Sequence, residues 1–139
     1  MDWLRAFLAA MLSILSGVGA TQRAVRVSLP PPSVVATTVP EGLHCPEWYW
    51  PAEAAGWTVD DLAQVDRIIW RESSCEQGAT HVNANGTVDR GLMQINDINL
   101  GWLADVGITA GDLLVGGRNL QAARLLYEQH GWSPWRPLP

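Results

Sequence analysis

A proline-rich stretch separates the first residues of this chain from the part that is predicted to fold. Residues 21–42 (TQRAVRVSLPPPSVVATTVPEG) contain three consecutive prolines and keep neither a helical nor a strand period. They are predicted to form a semi-extended linker, either a spacer between the domain and a membrane or wall or a tail without a role of its own. The folded unit is then residues 43–139, about 97 residues, a size at which a single hydrophobic core is marginal.

The first 20 residues have the layout of a targeting segment. Arg5 precedes a run of apolar or small residues from Ala6 to Ala20, and Val18 and Ala20 supply the small side chains of a cleavage site. No apolar run reaches the roughly 18 residues of a confident membrane span. Residues 1–20 are therefore predicted to be a secretory signal peptide, with an uncleaved anchor that tethers the chain through residues 6–20 as the alternative. In both cases the rest of the chain lies outside the cytoplasm.

Charge and ligand spacing exclude two broad classes of function. Nine basic residues, all arginine, stand against fourteen acidic ones, which gives a net charge of −5. Proteins that neutralise nucleic-acid phosphates carry a basic surplus, so no nucleic-acid partner is expected. The three histidines and two cysteines show no spacing typical of metal ligands, so neither a metal nor another cofactor is expected.

Both cysteines, Cys45 and Cys75, fall within the predicted domain. An exported chain with an even number of cysteines favours a disulfide, and two buried thiols are the alternative. The bridge would close a loop of about 30 residues and stabilise the fold by about 3 kcal/mol in the chain-entropy model.

The domain is predicted to be an α+β fold, mainly helical, with one small β-ribbon between helices. Thr58 and Asp61 form an approximate capping box, and Leu62, Val65, Ile68 and Ile69 follow at helical spacing as far as about Ser73. The dipeptide Asn85-Gly86 is a strong hairpin signal and predicts a two- or three-stranded ribbon over about residues 81–90. Further helices are predicted over residues 51–56, 91–96, 98–106 and 118–130.

Two carboxylates are the candidates for chemistry. Glu72 lies at the C-terminal end of the apolar helix, and Asp89 follows seventeen residues later, after the turn of the ribbon. If the ribbon folds back across the helix end, the two carboxylates flank a groove, which is the minimum set for cleaving a glycosidic bond. Taken singly, Glu72 also fits a solvated residue at a helix end, and Asp89 fits a structural cap.

Amide and aromatic side chains nearby add candidates for substrate binding. Gln94 and Asn96 carry both donors and acceptors, as recognition of N-acetyl and hydroxyl groups requires. Trp132 and Trp135 follow the last predicted helix, and each fits either core packing or a platform for a sugar ring.

Several short motifs together resemble the lysozyme-like superfamily. They are Glu72-Ser73, Ala79-Thr80, Asn83, Gly86 and the string Asp89-x-Gly-Leu-Met-Gln-Ile-Asn that ends at Asn96. The spacing from Glu72 to Asp89 equals that between the active-site carboxylates of c-type lysozymes. The Gly-Leu-Met-Gln string of residues 91–94 is the form found in soluble-lytic-transglycosylase domains, and Asn119-Leu120-Gln121-Ala122-Ala123 is similar to an element on their last core helix. The resemblance covers about residues 66–130.

The resemblance implies an exported lytic transglycosylase that cleaves the β-1,4 bond between N-acetylmuramic acid and N-acetylglucosamine. Glu72 would act as acid and then as base, with Ser73, Gln94 and Asn96 on the cleft wall. The muramoyl 6-hydroxyl would attack the anomeric carbon and leave a 1,6-anhydro product.

Asp89 keeps a second interpretation open, since it also fits a hydrolytic muramidase on the same fold. A non-catalytic module that binds the wall or supports a secretion machine is a third hypothesis. The chain most resembles the small specialised transglycosylases of secretion systems and of actinobacterial or phage cell-wall enzymes. The expected partners are therefore peptidoglycan glycan strands and a secretion or cell-wall machinery, and the expected location is secreted and cell-wall associated.

Overall fold

The computed structural model describes residues 38–136, so the predictions for residues 1–20 and for most of the linker lie outside the described residues. The described helices are α1 (Tyr49–Ala54), α2 (Val59–Ser73), α3 (Leu100–Asp105) and α4 (Gly116–His130). Strands β1 (Thr80–Val82), β2 (Val88–Arg90) and β3 (Ile95–Asn96) lie between α2 and α3. The predicted α+β class, mainly helical with a small ribbon between helices, is confirmed. Within residues 38–136 no helix is long and apolar enough to cross a membrane.

Helix α2 begins and ends as its sequence predicts. The carboxylate of Asp61 accepts hydrogen bonds from the backbone N–H and the hydroxyl of Thr58, which completes the capping box. Its apolar face is buried in the core through Leu62, Val65, Ile68 and Ile69. After Ser73 the backbone turns left-handed at Ser74 and Cys75, with φ of 52° and 71°, so the helix stops one residue beyond Glu72.

The sheet places Asp89 on its central strand. Strand β2 pairs antiparallel with β1 and with β3, and Asp89 lies opposite His81 on one side and Asn96 on the other. The ribbon therefore extends to Asn96, beyond the predicted limit of about residue 90.

The predicted helix over residues 91–96 is wrong. Residues 91–94 form a turn and Ile95–Asn96 form β3, because Gly91 and Gln94 adopt φ of +77° and +48°, outside the helical range. Only glycine fits at position 91, where a Cβ atom would lie 2.0 Å from the carbonyl oxygen of Leu113 and 2.2 Å from Nδ2 of Asn119.

A buried amide on α4 fixes this turn. Asn119 is fully buried, and its Oδ1 accepts a hydrogen bond of 2.9 Å from the N–H of Met93. Its Nδ2 donates to the carbonyl oxygens of Arg90 (2.8 Å) and Leu113 (2.9 Å). The end of β2 and the turn after it are thereby held against α4.

The predicted disulfide is present and fastens the start of the domain to the end of α2. Cys45 and Cys75 are bonded, with their Cα atoms 5.6 Å apart. The buried carboxylate of Asp66 accepts hydrogen bonds from the N–H groups of His44 (2.9 Å) and Cys45 (2.8 Å). The segment before α1 is therefore packed beside the helix end that carries Glu72.

Candidate active site

Glu72 lies in the last turn of α2 with its side chain 26% exposed. Its Oε1 accepts hydrogen bonds from Nε (3.0 Å) and Nη2 (2.5 Å) of Arg71. Nη2 of Arg71 also donates to the carbonyl oxygen of Trp135 at 2.6 Å. The carboxylate is thus accessible to a ligand and is held through one oxygen by the guanidinium group of Arg71. The same guanidinium group is hydrogen-bonded to the C-terminal turn.

Asp89 is held by neutral groups instead. Its Oδ1 accepts a hydrogen bond of 2.6 Å from Nδ2 of Asn96, and its Oδ2 accepts one of 2.9 Å from Nδ2 of Asn83. The hydroxyl oxygen of Thr87 accepts from both amides, at 3.0 and 3.2 Å. This network brings together the predicted site residues Asp89 and Asn96.

Sequence analysis included Asn83 in the family motif but did not predict its contact with Asp89. The signal lay in the Asn85-Gly86 turn, which returns the chain so that the N–H of Asn83 donates to the carbonyl oxygen of Thr87 at 2.8 Å. A residue before such a turn and a residue after it lie side by side on the ribbon.

One carboxylate binds both neighbours of Asp89 on β2. Asp97 forms an ion pair with Arg90 and accepts a hydrogen bond of 3.2 Å from the N–H of Val88. Asp89 is therefore fixed both through its side chain and through its strand.

Trp135 connects the surroundings of the two candidate carboxylates. Its carbonyl oxygen accepts from Arg71, and its indole N–H donates to the carbonyl oxygen of Met93 at 2.9 Å. The side chain is only 4% exposed and belongs to the core, so the predicted sugar platform at this position is wrong and core packing is correct.

Trp132 is partly buried and packs against other aromatic rings. It stacks on Trp57, with centroids 5.3 Å apart and planes 14° apart, and contacts the ring of Tyr127 at 4.5 Å. The face of Trp132 that is turned toward Trp57 is therefore taken up by aromatic packing.

Ser73 and Gln94 use their donors within the fold. The hydroxyl of Ser73 donates to the carbonyl oxygen of Ile69 at 3.0 Å, one helical turn earlier. Nε2 of Gln94 donates to the carbonyl oxygens of Gly91 (2.8 Å) and Ala79 (3.2 Å). The structure therefore shows these two residues bonding to the backbone near the candidate carboxylates, and none of their hydrogen bonds within residues 38–136 goes to the Asp89 network.

No group of three or more potential metal-ligating side chains occurs in the part of the chain that the structure describes. The side chains described above offer two carboxylates, one guanidinium group and several amides for chemistry.

The comparison with protein families identifies the class to which this arrangement belongs. The model of the family described as a lysozyme-like domain matches residues 49–136, which is more than half of the chain and contains all the candidate site residues except Cys45. The chain belongs to the lysozyme-like domain family. It is similar to lysozyme c-1 of Anopheles gambiae, with 31% identity over 77 residues that cover 49% of this chain. The match spans about half of that relative, 53% of its length.

Proposed function

We propose that this chain is a peptidoglycan glycosidase of the lytic transglycosylase type, specific for the β-1,4 bond between N-acetylmuramic acid and N-acetylglucosamine. The observation that carries the proposal is that two carboxylates of one lysozyme-like domain have different surroundings. Glu72 is partly exposed and held through one oxygen, whereas Asp89 is fixed through both. Glycosidases assign different roles to their two carboxyl groups, and the surroundings of each group set its role.

The proposed reaction begins with a proton on Glu72. Within residues 38–136 the hydrogen bonds to this carboxyl all end on Oε1, so Oε2 is assigned to proton exchange. Glu72 donates its proton to the leaving glycosidic oxygen, and the bond to the muramoyl C1 breaks. The fixed negative charge of Asp89 stabilises the oxocarbenium-like transition state.

The second half of the reaction regenerates the acid. The carboxylate of Glu72 takes the proton of the muramoyl 6-hydroxyl while the oxygen of that hydroxyl forms a bond to C1. The product is a 1,6-anhydro sugar, no water is consumed, and Glu72 is protonated again for the next cycle. Support for this intramolecular route comes from the Gly-Leu-Met-Gln string of residues 91–94.

A hydrolytic muramidase is the second candidate. It is favoured by the two amide hydrogen bonds to Asp89, because a carboxylate that acts as nucleophile also needs a fixed orientation. The similarity to a protein named lysozyme c-1 points the same way.

Product mass spectrometry decides between these reactions. The chain is incubated with purified peptidoglycan, and the Glu72→Gln variant serves as the blank. Fragments lighter by one water than reducing muropeptides support the transglycosylase. Reducing ends show that water is the nucleophile and replace it with the muramidase. A folded chain that binds peptidoglycan but releases no fragments overturns both and leaves a wall-binding module.

The same proposal places the enzyme outside the cytoplasm. Residues 1–20 act as a signal peptide or anchor, residues 21–42 as a linker and residues 43–139 as the catalytic domain, and the disulfide fits an oxidising compartment. The net charge of −5 gives no electrostatic attraction to anionic walls. This charge suits an enzyme that is held near its own wall by its N-terminal segment, residues 1–20, or by a secretion or cell-wall machinery. N-terminal sequencing of the exported protein tests the cleavage after Ala20.

A further inference from the structure

A group of aromatic and cationic side chains lies on the solvent side of α2, beside the candidate site. Arg67, Trp70 and Arg71 are spaced i, i+3 and i+4 and therefore share one face of the helix. The ring of His44 stacks on Trp70, with centroids 5.4 Å apart and planes 13° apart. These four residues line one open depression, which we name the α2 shelf.

The fold does not account for an aromatic residue at this position. Trp70 is 48% exposed and lies outside the buried core, which α2 fills through Ile68 and Ile69 just before it. A half-exposed indole beside a second ring offers apolar surface to a ligand.

The shelf is also cationic, although the chain as a whole is acidic. Most arginines of the described residues pair with carboxylates: Arg71 with Glu72, Arg90 with Asp97, Arg118 with Asp112, and Arg124 with Glu128. Arg67 differs, since it donates to the neutral amide of Gln64 and none of the ion pairs of residues 38–136 includes it. Among residues 38–136, no acidic side chain lines the depression. The complementary ligand therefore carries carboxylate groups together with small apolar groups.

One guanidinium group joins the shelf to the candidate catalytic carboxylate. Arg71 lines the depression and at the same time donates to Oε1 of Glu72. The shelf is therefore adjacent to Glu72 through the side chain of Arg71. The other edge is preorganised, because the backbone N–H of His44 is held by Asp66 and the next residue, Cys45, is in the disulfide.

We propose that the α2 shelf binds the peptide stem of the glycan strand that is cut at Glu72. The stem is attached to muramic acid and combines carboxylate groups with the methyl groups of its alanines. The carboxylates would contact Arg67 and Arg71, and the methyl groups would contact Trp70. The inference rests on the proposed function and adds to it the part of the substrate that lies beyond the sugar rings.

Two substrates and three variants of the full chain test this assignment. One substrate is intact peptidoglycan, and the other is glycan from which an amidase has removed the stems. Arg67→Gln is expected to raise the apparent KM about fivefold on the intact substrate, and Trp70→Ala about tenfold, with no change on the stripped glycan. Arg118→Gln removes an equal charge from a different depression of the domain and is expected to leave the ratio between the two substrates unchanged. Shelf variants that alter both substrates equally, or neither, overturn the inference while the proposed function stands.

A binding measurement decides the inference independently of cleavage. The indole N–H signal of Trp70, assigned by its loss in Trp70→Phe, is followed by NMR in the Glu72→Gln chain. A shift with the disaccharide-pentapeptide and none with the bare disaccharide supports the stem site, even if the unmodified chain cleaves nothing and the proposed function fails. The inference is overturned if the signal shifts with both saccharides, with neither of them, or with inorganic phosphate at the same concentration.

Discussion

The two candidate carboxylates are held by different chemistry. Glu72 contacts a charged group that is its own neighbour in the chain, Arg71, at 3.0 and 2.5 Å. Asp89 contacts two neutral amides, one from before the hairpin turn and one from the neighbouring strand, Asn83 and Asn96. The first arrangement is local to one helix end, and the second requires the folded ribbon.

This difference separates a carboxylate held by a local ion pair from one held by the folded sheet. A partly exposed ion pair between adjacent residues contributes little to stability and is easily rearranged, so the side chain of Glu72 is adaptable. A carboxylate with a hydrogen bond on each oxygen keeps its position. The domain thus combines one adaptable carboxyl group with one rigid carboxylate, and the following substitutions test whether that contrast is functional.

The largest effect is expected for Glu72→Gln. The amide cannot donate a proton to the leaving oxygen, so release of soluble muropeptides should fall about 10³-fold while the fold remains intact. The matched control is Glu76→Gln, the same substitution on an exposed residue four positions later and beyond the end of α2, which should leave activity unchanged. Equal losses in both variants would show that charge near the helix end, and not proton transfer, is what matters.

Asp89→Asn is expected to lower the rate about 10²-fold, because the transition state loses a fixed negative charge. The remaining product should still be the 1,6-anhydro form, since in the transglycosylase the attacking group is the muramoyl 6-hydroxyl. Rates come from single-turnover assays and products from mass spectrometry. Full activity in this variant would show that Asp89 is only a structural cap.

Asn83→Ala should have a smaller effect, about a fivefold loss of kcat with KM unchanged, because Asp89 keeps its hydrogen bond to Asn96. The matched control is Asn85→Ala, which removes a turn amide that bonds Thr87 but does not contact Asp89. Both variants should be destabilised by about 1 kcal/mol. If kcat falls equally in both, the loss comes from the turn and not from the positioning of Asp89.

The positions of the two candidate carboxylates on the fold were predictable because their signals are local. The spacing of Glu72 and Asp89 and the Asn85-Gly86 turn lie within one short stretch, and the antiparallel ribbon follows from them. Asn96 was predicted as a binding residue, and in the structure its side-chain amide donates a hydrogen bond to Asp89.

The errors arose where a distant residue determines the local structure. Leu92, Met93 and Ile95 suggest a helix, but the amide of Asn119 on α4 stabilises a turn with left-handed residues instead. Trp135 was equally ambiguous, and in the structure it is buried with its indole N–H donating to the carbonyl oxygen of Met93, 42 residues earlier. The two partners, Asn119 for the turn and Met93 for Trp135, are far along the chain and cannot be inferred from the neighbouring sequence.

A third carboxylate, Asp112, provides the last test, because it is also hydrogen-bonded but differs from Asp89 in accepting on one oxygen from Thr109 and in pairing with Arg118. Oδ2 of Asp112 accepts from the hydroxyl (2.6 Å) and the N–H (2.8 Å) of Thr109, and these donors hold its pKa below the usual value. A lowered pKa contributes stability that is present above the unfolded pKa of about 3.9 and disappears as the pH falls through the folded value. Asp112→Asn should therefore reduce Tm slightly at pH 7 and leave it unchanged at about pH 2, with activity within about twofold of the unmodified chain. If Asp112→Asn lowers activity as strongly as Asp89→Asn, hydrogen-bonded carboxylates in this domain act only through stability, and the distinction drawn for Asp89 fails.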